Sequence, residues 1–203
     1  MAAPAPVLEF WFDFASTYSY PAAMRIGTLA GRAGIAIAHR PFLLGPIFKA
    51  QGWTTSPFNL FAAKGRNMWR DLERTCSGMA LPFERPDPFP QSSLLAARLA
   101  LVGLADRWGE DFCRTVFWAE FAQRLRIDDP KTLGAILEDL KVEPAAALAA
   151  AGSEEIKERL RAQTNEAQEI GIFGAPSFRT ADGELFWGND RLESALEWAN
   201  AAR

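Results

Sequence analysis

Val7-Leu8-Glu9-Phe10-Trp11-Phe12-Asp13-Phe14-Ala15-Ser16-Thr17-Tyr18-Ser19-Tyr20 is the stretch on which the fold turns. Val7 to Phe12 is apolar and aromatic, which reads as a buried strand. Asp13 and Ser16 then offer side-chain oxygens where a helix can begin. From Thr17 to Ala30 the apolar residues Tyr20, Ala23, Met24, Ile26, Leu29 and Ala30 fall at helical spacing, and Gly31 and Gly34 end the segment. Ile35 to His39 is a second short strand, limited by Pro41. A right-handed crossover makes the two strands parallel.

The next strand signals stand far downstream. Ser177 to Arg179 is short and extended, Asp182-Gly183 is a hairpin-turn dipeptide, and Glu184 to Trp187 is a further strand. Leu192 to Ala201 closes with helical spacing at Leu192, Ala195, Leu196 and Ala199. Between the ends the pattern is helical over Phe61–Cys76, Ser92–Trp108, Glu110–Leu125, Glu143–Ala151 and Glu154–Ile170. Another helix starts at Asp129-Pro130, with Asp129 as cap. A β-α-β half and a β-β-α half flanking a helical block assemble into one mixed sheet, the thioredoxin plan. The expected class is α/β, a thioredoxin-like fold with a large all-helical insertion. Residues 1–43 and 171–203 form the thioredoxin-like domain and 44–170 the insertion.

Composition narrows the function. The 203 residues are 49% hydrophobic and 12% aromatic, with a formal net charge of −3. A mildly acidic chain does not track a phosphate backbone, so nucleic acid is not an expected partner. No apolar run approaches the roughly 18 residues of a membrane helix, and the first residues lack the basic and apolar regions of a signal peptide. Cys76 and Cys113 form no C-x-x-C pair and read as free thiols in a reducing cytoplasm. His39 is the single histidine, so a His-rich zinc site is excluded; it reads as a partly buried strand residue.

Four segments carry candidate chemistry. Ser16-Thr17-Tyr18-Ser19 keeps the C-x-x-C spacing of thioredoxin-like proteins with hydroxyls for both sulfurs, which excludes disulfide exchange there. Ser16 either caps the helix or donates a hydrogen bond to a ligand's thiolate at a helix N-terminus. Pro176, directly before a strand, is an ordinary trans proline or the cis-proline of a loop in which Ala175 pairs with an extended peptide through its backbone. Asn189 and Asp190 either cap the last helix or hold the carboxylate and ammonium of an α-amino acid. Lys64, on a helix, is a solvated cation or the holder of a ligand carboxylate; Arg40 and Lys49 admit the same two readings.

Taken in order, FDFASTYSY (12–20), HRPFLLGPIFKAQG (39–52), AKGRNMWRDLERTC (63–76), FPQSSLLAARLAL (89–101), GIFGAPSF (171–178) and ELFWGNDRL (184–192) resemble the 2-hydroxychromene-2-carboxylate isomerase family. That family is related to kappa-class glutathione transferases and DsbA-like oxidoreductases. The resemblance implies a glutathione cofactor, a small aromatic carboxylate as substrate, a role in aromatic catabolism and a homodimer. It gives Ser16 the hydrogen bond to the glutathione sulfur, Ala175 before the cis Pro176 the cysteinyl backbone, Asn189 and Asp190 the γ-glutamyl group, and Lys64 the glycyl carboxylate. Lys49 falls to the aromatic substrate's pocket, and Trp53, Trp69 and Phe89 are aromatic candidates for its wall. The chain departs from the family pattern at Thr17 (usually Pro), at Trp53 (often Asn) and at Ser92, where the FPxN element loses its Asn. The implied activity is glutathione-dependent isomerisation. The alternatives are a kappa-like transferase that conjugates electrophiles and a non-catalytic peptide-binding module on the same fold.

Overall fold

The computed structural model describes residues 5–201. Strand β1 (Val7–Phe12) leads through a turn into helix α1 (Ser19–Ala33) and strand β2 (Ala36–Pro41). Helices α2 (Leu44–Ala50), α3 (Pro57–Leu60), α4 (Ala62–Gly78), α5 (Leu94–Leu104), α6 (Gly109–Phe121), α7 (Pro130–Asp139), α8 (Pro144–Ala151) and α9 (Glu154–Glu169) follow. Strands β3 (Ser177–Arg179) and β4 (Leu185–Trp187), a 3-10 turn at Asn189–Arg191 and helix α10 (Leu192–Ala201) complete the chain. The sheet order is β2-β1-β3-β4, with β1 parallel to β2 and antiparallel to β3, and β4 antiparallel to β3. This is a thioredoxin-like fold with helices inserted between its two halves.

The central place of β1 explains its composition. A strand paired on both edges and covered on both faces reads as a nearly continuous apolar run. Its side chains alternate between faces: Leu8, Phe10 and Phe12 enter the main core, and Trp11 enters a second one with Phe42, Ile47, Ala167 and Ile172. The main core is continuous through the helical block, taking Leu72 from α4, Leu99 from α5, Phe112 and Phe117 from α6 and Leu133 from α7. Trp11 is covered by α2 and α9. The α9 helix is tied to β2 by Arg40, which pairs with Glu166 at 2.8 Å and lies 4.9 Å over the Trp11 ring. Arg40 is therefore committed to structure.

Several local details differ from the sequence expectations. Gly31 stays inside α1, and Gly34 alone ends it, in the left-handed region at φ 68°. The first helical turn begins at Ser19, later than the expected Thr17, because two successive turns precede it: the Ser16 amide donates to the Asp13 carbonyl at 3.0 Å, and the Ser19 amide donates to the Ser16 carbonyl at 3.2 Å. Helices α2 and α3 were not expected. The Asp129 cap is present, with its carboxylate accepting the Lys131 amide at 2.9 Å, and Glu143 caps α8 in the same manner. His39 lies in β2, largely buried against the edges of Phe10 and Phe12.

Candidate functional site

The site starts from the β1 end. Asp13 is buried, and its carboxylate accepts the Ala15 amide at 3.0 Å and the Leu44 amide at 2.7 Å. One side chain thereby fixes the Ser16 turn and the start of α2. Ser16 is 7% exposed. Its hydroxyl does not cap α1, whose N-cap Tyr18 makes no side-chain capping bond. It donates instead to the Ala175 carbonyl at 2.9 Å, across 159 residues of sequence. The Ala175–Pro176 peptide bond is cis, and the Pro176 carbonyl accepts the Gly188 amide at 2.9 Å. Trp187 packs so closely on this loop that a Cβ at Gly174 would lie 2.5 Å from its indole nitrogen.

Asn189 is buried and serves the fold: Arg25 donates to its side-chain oxygen at 3.1 Å and to its carbonyl at 2.6 Å, and also pairs with Glu193. Asp190 is exposed, with Arg191 at 3.4 Å, and its charge reaches the Tyr18 phenol. On the other side of Tyr18 lies an open, mostly apolar cleft of about 430 Å³, lined by Tyr18, Phe58, Ala63, Lys64, Asn67 and Met68. The Lys64 ammonium sits 4.8 Å over the Phe61 ring. The Thr17 hydroxyl donates to the Met68 sulfur at 3.4 Å, which locks the Ser16 turn onto α4. A Cβ at Gly65 would meet the Phe58 carbonyl oxygen at 2.4 Å, so glycine lets α3 lie directly on α4 and form the cleft's lip.

The structure thus brings Ser16, Ala175 and Pro176 together, and places Lys64 and Asp190 around the neighbouring Tyr18. Lys49 is exposed on α2, and Trp53 packs on Phe48 with ring centres 5.8 Å apart. Both belong to the segment 44–60 that starts at Asp13 and ends at the cleft's lip. Phe89 is not brought to this cleft. It packs on Trp69 and Phe121, with ring centres at 4.9 and 6.1 Å, and lines a separate cleft with Glu84, Arg85 and Arg124. Ser92 is exposed, while its neighbour Gln91 is buried and accepts the Ile127 amide at 2.7 Å. Tyr18, Asn67, Met68 and Asp71 were not singled out from sequence. Their signal was present: Lys64, Met68 and Asp71 stand at i, i+4, i+7, one face of α4.

No thiol competes for the site's chemistry. Burial pushes the Cys76 thiol up to about 11 and Cys113 higher still, so neither offers a thiolate at neutral pH. No group of three or more His, Cys, Asp or Glu side chains among the described residues could hold a metal ion. Glu120 of α6 is the outlier. It is fully buried and neither carboxyl oxygen has a hydrogen-bond partner. Burial, and then the charges of Asp13 and Asp128, hold its carboxyl well above the usual range. A folded-state value above the unfolded one means stability is full below the unfolded value and is lost as pH rises through the folded one. Glu120→Leu is expected to stabilise the fold by about 1–4 kcal/mol near neutral pH. The gain should shrink as pH falls to about 4. Thermal unfolding across that range checks this, and a gain independent of pH contradicts it.

Residues 7–197 match the DSBA-like thioredoxin domain. The chain belongs to that family. Within it, this DsbA-like chain is 29% identical over 187 residues to 2-hydroxychromene-2-carboxylate isomerase of Sphingobium xenophagum, covering 92% of this chain and 94% of the relative. It is 26% identical over 209 residues to glutathione S-transferase kappa 2 of Caenorhabditis elegans, covering 95% and 91% of the two chains. A solved 2-hydroxychromene-2-carboxylate isomerase superposes with a TM-score of 0.86 at 26% identity, over 97% of this chain and 95% of the other. A probable DsbA oxidoreductase of Streptomyces coelicolor superposes with a TM-score of 0.80 at 18% identity, over 98% and 91% of the chains, and shares the DsbA-like fold.

Proposed function

We propose that the protein is a glutathione-dependent isomerase that interconverts 2-hydroxychromene-2-carboxylate and trans-o-hydroxybenzylidenepyruvate, or a related aromatic hydroxy-acid pair. The observation that carries the reading is the Ser16 hydroxyl held 2.9 Å from the Ala175 carbonyl, where a redox relative needs a thiol. Relatives named as that isomerase and as kappa-class transferases support it. The residues present fit glutathione. Ser16 is a hydroxyl donor for its sulfur, Ala175 offers main-chain groups beside the cis Pro176, Lys64 at the cleft suits a carboxylate, and the exposed Asp190 suits an ammonium. Asn189, held by Arg25, fixes the turn that presents Asp190.

When bound, glutathione supplies a thiol that adds reversibly to a conjugated oxo-acid and is returned. The protein's part is electrostatic. The Ser16 hydroxyl is a rotor whose proton, turned from the Ala175 carbonyl, hydrogen-bonds an anionic sulfur and keeps it aimed. The start of α1 three residues on favours the same negative charge. Tyr18, Met68 and Phe58 give the open cleft mostly apolar walls that suit an aromatic ring. Lys49 and Trp53 are the proposed contacts for the substrate's carboxylate and ring. Phe89, in its separate cleft, is left out. On this reading the enzyme works as a homodimer in the cytoplasm, within aromatic breakdown.

The test is turnover of 2-hydroxychromene-2-carboxylate with glutathione, with product absorbance and total free thiol followed together. Product formation that requires glutathione at constant total thiol is the expected result. Thiol lost in step with product favours conjugation, the chemistry of the kappa relatives. Turnover or binding indifferent to glutathione sinks both.

A further inference from the structure

The Tyr18 phenol donates to the Asp71 carboxylate at 2.7 Å, and Tyr18 lines the cleft with Lys64, Asn67 and Met68. Its position is set from two sides. The Ser16 turn carries it from β1, and Thr17 on Met68 ties that turn to the helix that bears Asp71. With its proton committed to Asp71, the phenol oxygen keeps its lone pairs for whatever enters the cleft. We infer that Tyr18 is a catalytic acid–base residue for opening a cyclic hemiketal of an aromatic 2-oxo acid, and that Asp71 is its positioning residue and proton acceptor. This rests on the isomerase reading above and adds to it a group outside the glutathione-binding set.

The chemistry balances without a further reactant. In the closed substrate the hemiketal carbon bears both a hydroxyl and the ring oxygen. Opening breaks the bond from that carbon to the ring oxygen, and the electron pair leaves on the ring oxygen. The hydroxyl becomes the ketone; its proton passes to the Tyr18 oxygen as the Tyr18 proton passes to Asp71. The proton then returns from Asp71 through Tyr18 to the ring oxygen, now a phenol. Both substrate oxygens sit on one carbon, so a single phenol oxygen serves each in turn. Burial, then Asp71 and Asp190, hold Tyr18 above the ordinary tyrosine range, so it stays un-ionised at neutral pH and conducts protons as a neutral phenol.

Tyr18→Phe is expected to lower kcat about 100-fold, the usual weight of a positioned acid–base group. KM, the glutathione Kd by calorimetry and the Kd of the open-chain product should stay within about twofold, because the ring remains in place. Asp71→Asn should lower kcat in the same direction, Asp71→Glu should restore part of it, and the double variant Tyr18→Phe/Asp71→Asn should be no slower than Tyr18→Phe alone. A Tyr18→Phe enzyme with kcat within about threefold of wild type overturns the inference, as does a double variant that loses the product of the two single effects. Loss of glutathione or product binding in proportion to kcat overturns it as well, by making Tyr18 structural. The wild type run alongside separates the two readings. No isomerase turnover by wild type sinks both, whereas an active wild type matched by Tyr18→Phe sinks this one alone.

Discussion

Ser16→Ala is expected to lower kcat/KM for the isomerisation by roughly 10²–10³-fold at saturating glutathione, the cost of removing one donor aimed at a developing anion. The structure makes this a clean experiment. Ser16 makes one side-chain hydrogen bond, to the Ala175 carbonyl, and its amide on the Asp13 carbonyl needs no hydroxyl. The turn should survive, with about 1 kcal/mol lost from the fold for one neutral hydrogen bond. Steady-state kinetics with a parallel unfolding curve measure both. A variant within threefold of wild type would remove Ser16 from the proposed chemistry.

The second large effect is on stability. Phe117→Ala should cost about 3–5 kcal/mol, the range for emptying a buried aromatic site. Phe117 is fully buried, with ring centres 5.7 Å from Phe12 and 4.9 Å from Phe14. Those two residues flank Asp13, whose carboxylate holds the Ser16 turn. The cavity would therefore open directly behind the site, and glutathione affinity should fall together with the urea midpoint. A loss below about 1 kcal/mol would mean that the site collapses around the smaller side chain.

The ends of the chain were legible because their signals are local. β1, β3 and α10 follow from apolar runs and spacing that no distant contact has to correct. Helices α2 and α3 are hidden in the sequence for the opposite reason. Gly45, Pro46 and Pro57 look like breakers, yet Pro46 and Pro57 fall in first turns, where the missing amide hydrogen costs nothing. What starts α2 is the Asp13 carboxylate, 31 residues away. The site divides in the same way. The hydroxyl run at 16–19 is visible in the sequence, but the Ser16 hydroxyl's bond to the Ala175 carbonyl spans 159 residues and has no local signal. Tyr18 and Asp71 have no distinctive signal in the sequence, because each belongs to a pattern with a bland explanation, a helix start and a solvated helix face. Glu120 sits among Val116, Phe117 and Phe121 in an apolar helix, and that setting was the available sign of its burial.

The central claim is that the alcohol at the β1–α1 turn receives a ligand's sulfur. A crystal structure of the protein grown with glutathione tests it most directly. The account predicts the cysteinyl sulfur within hydrogen-bond reach of the Ser16 oxygen, with the peptide backbone against Ala175. A tripeptide found with its sulfur directed away from Ser16, or no tripeptide at a concentration that supports turnover, would contradict it.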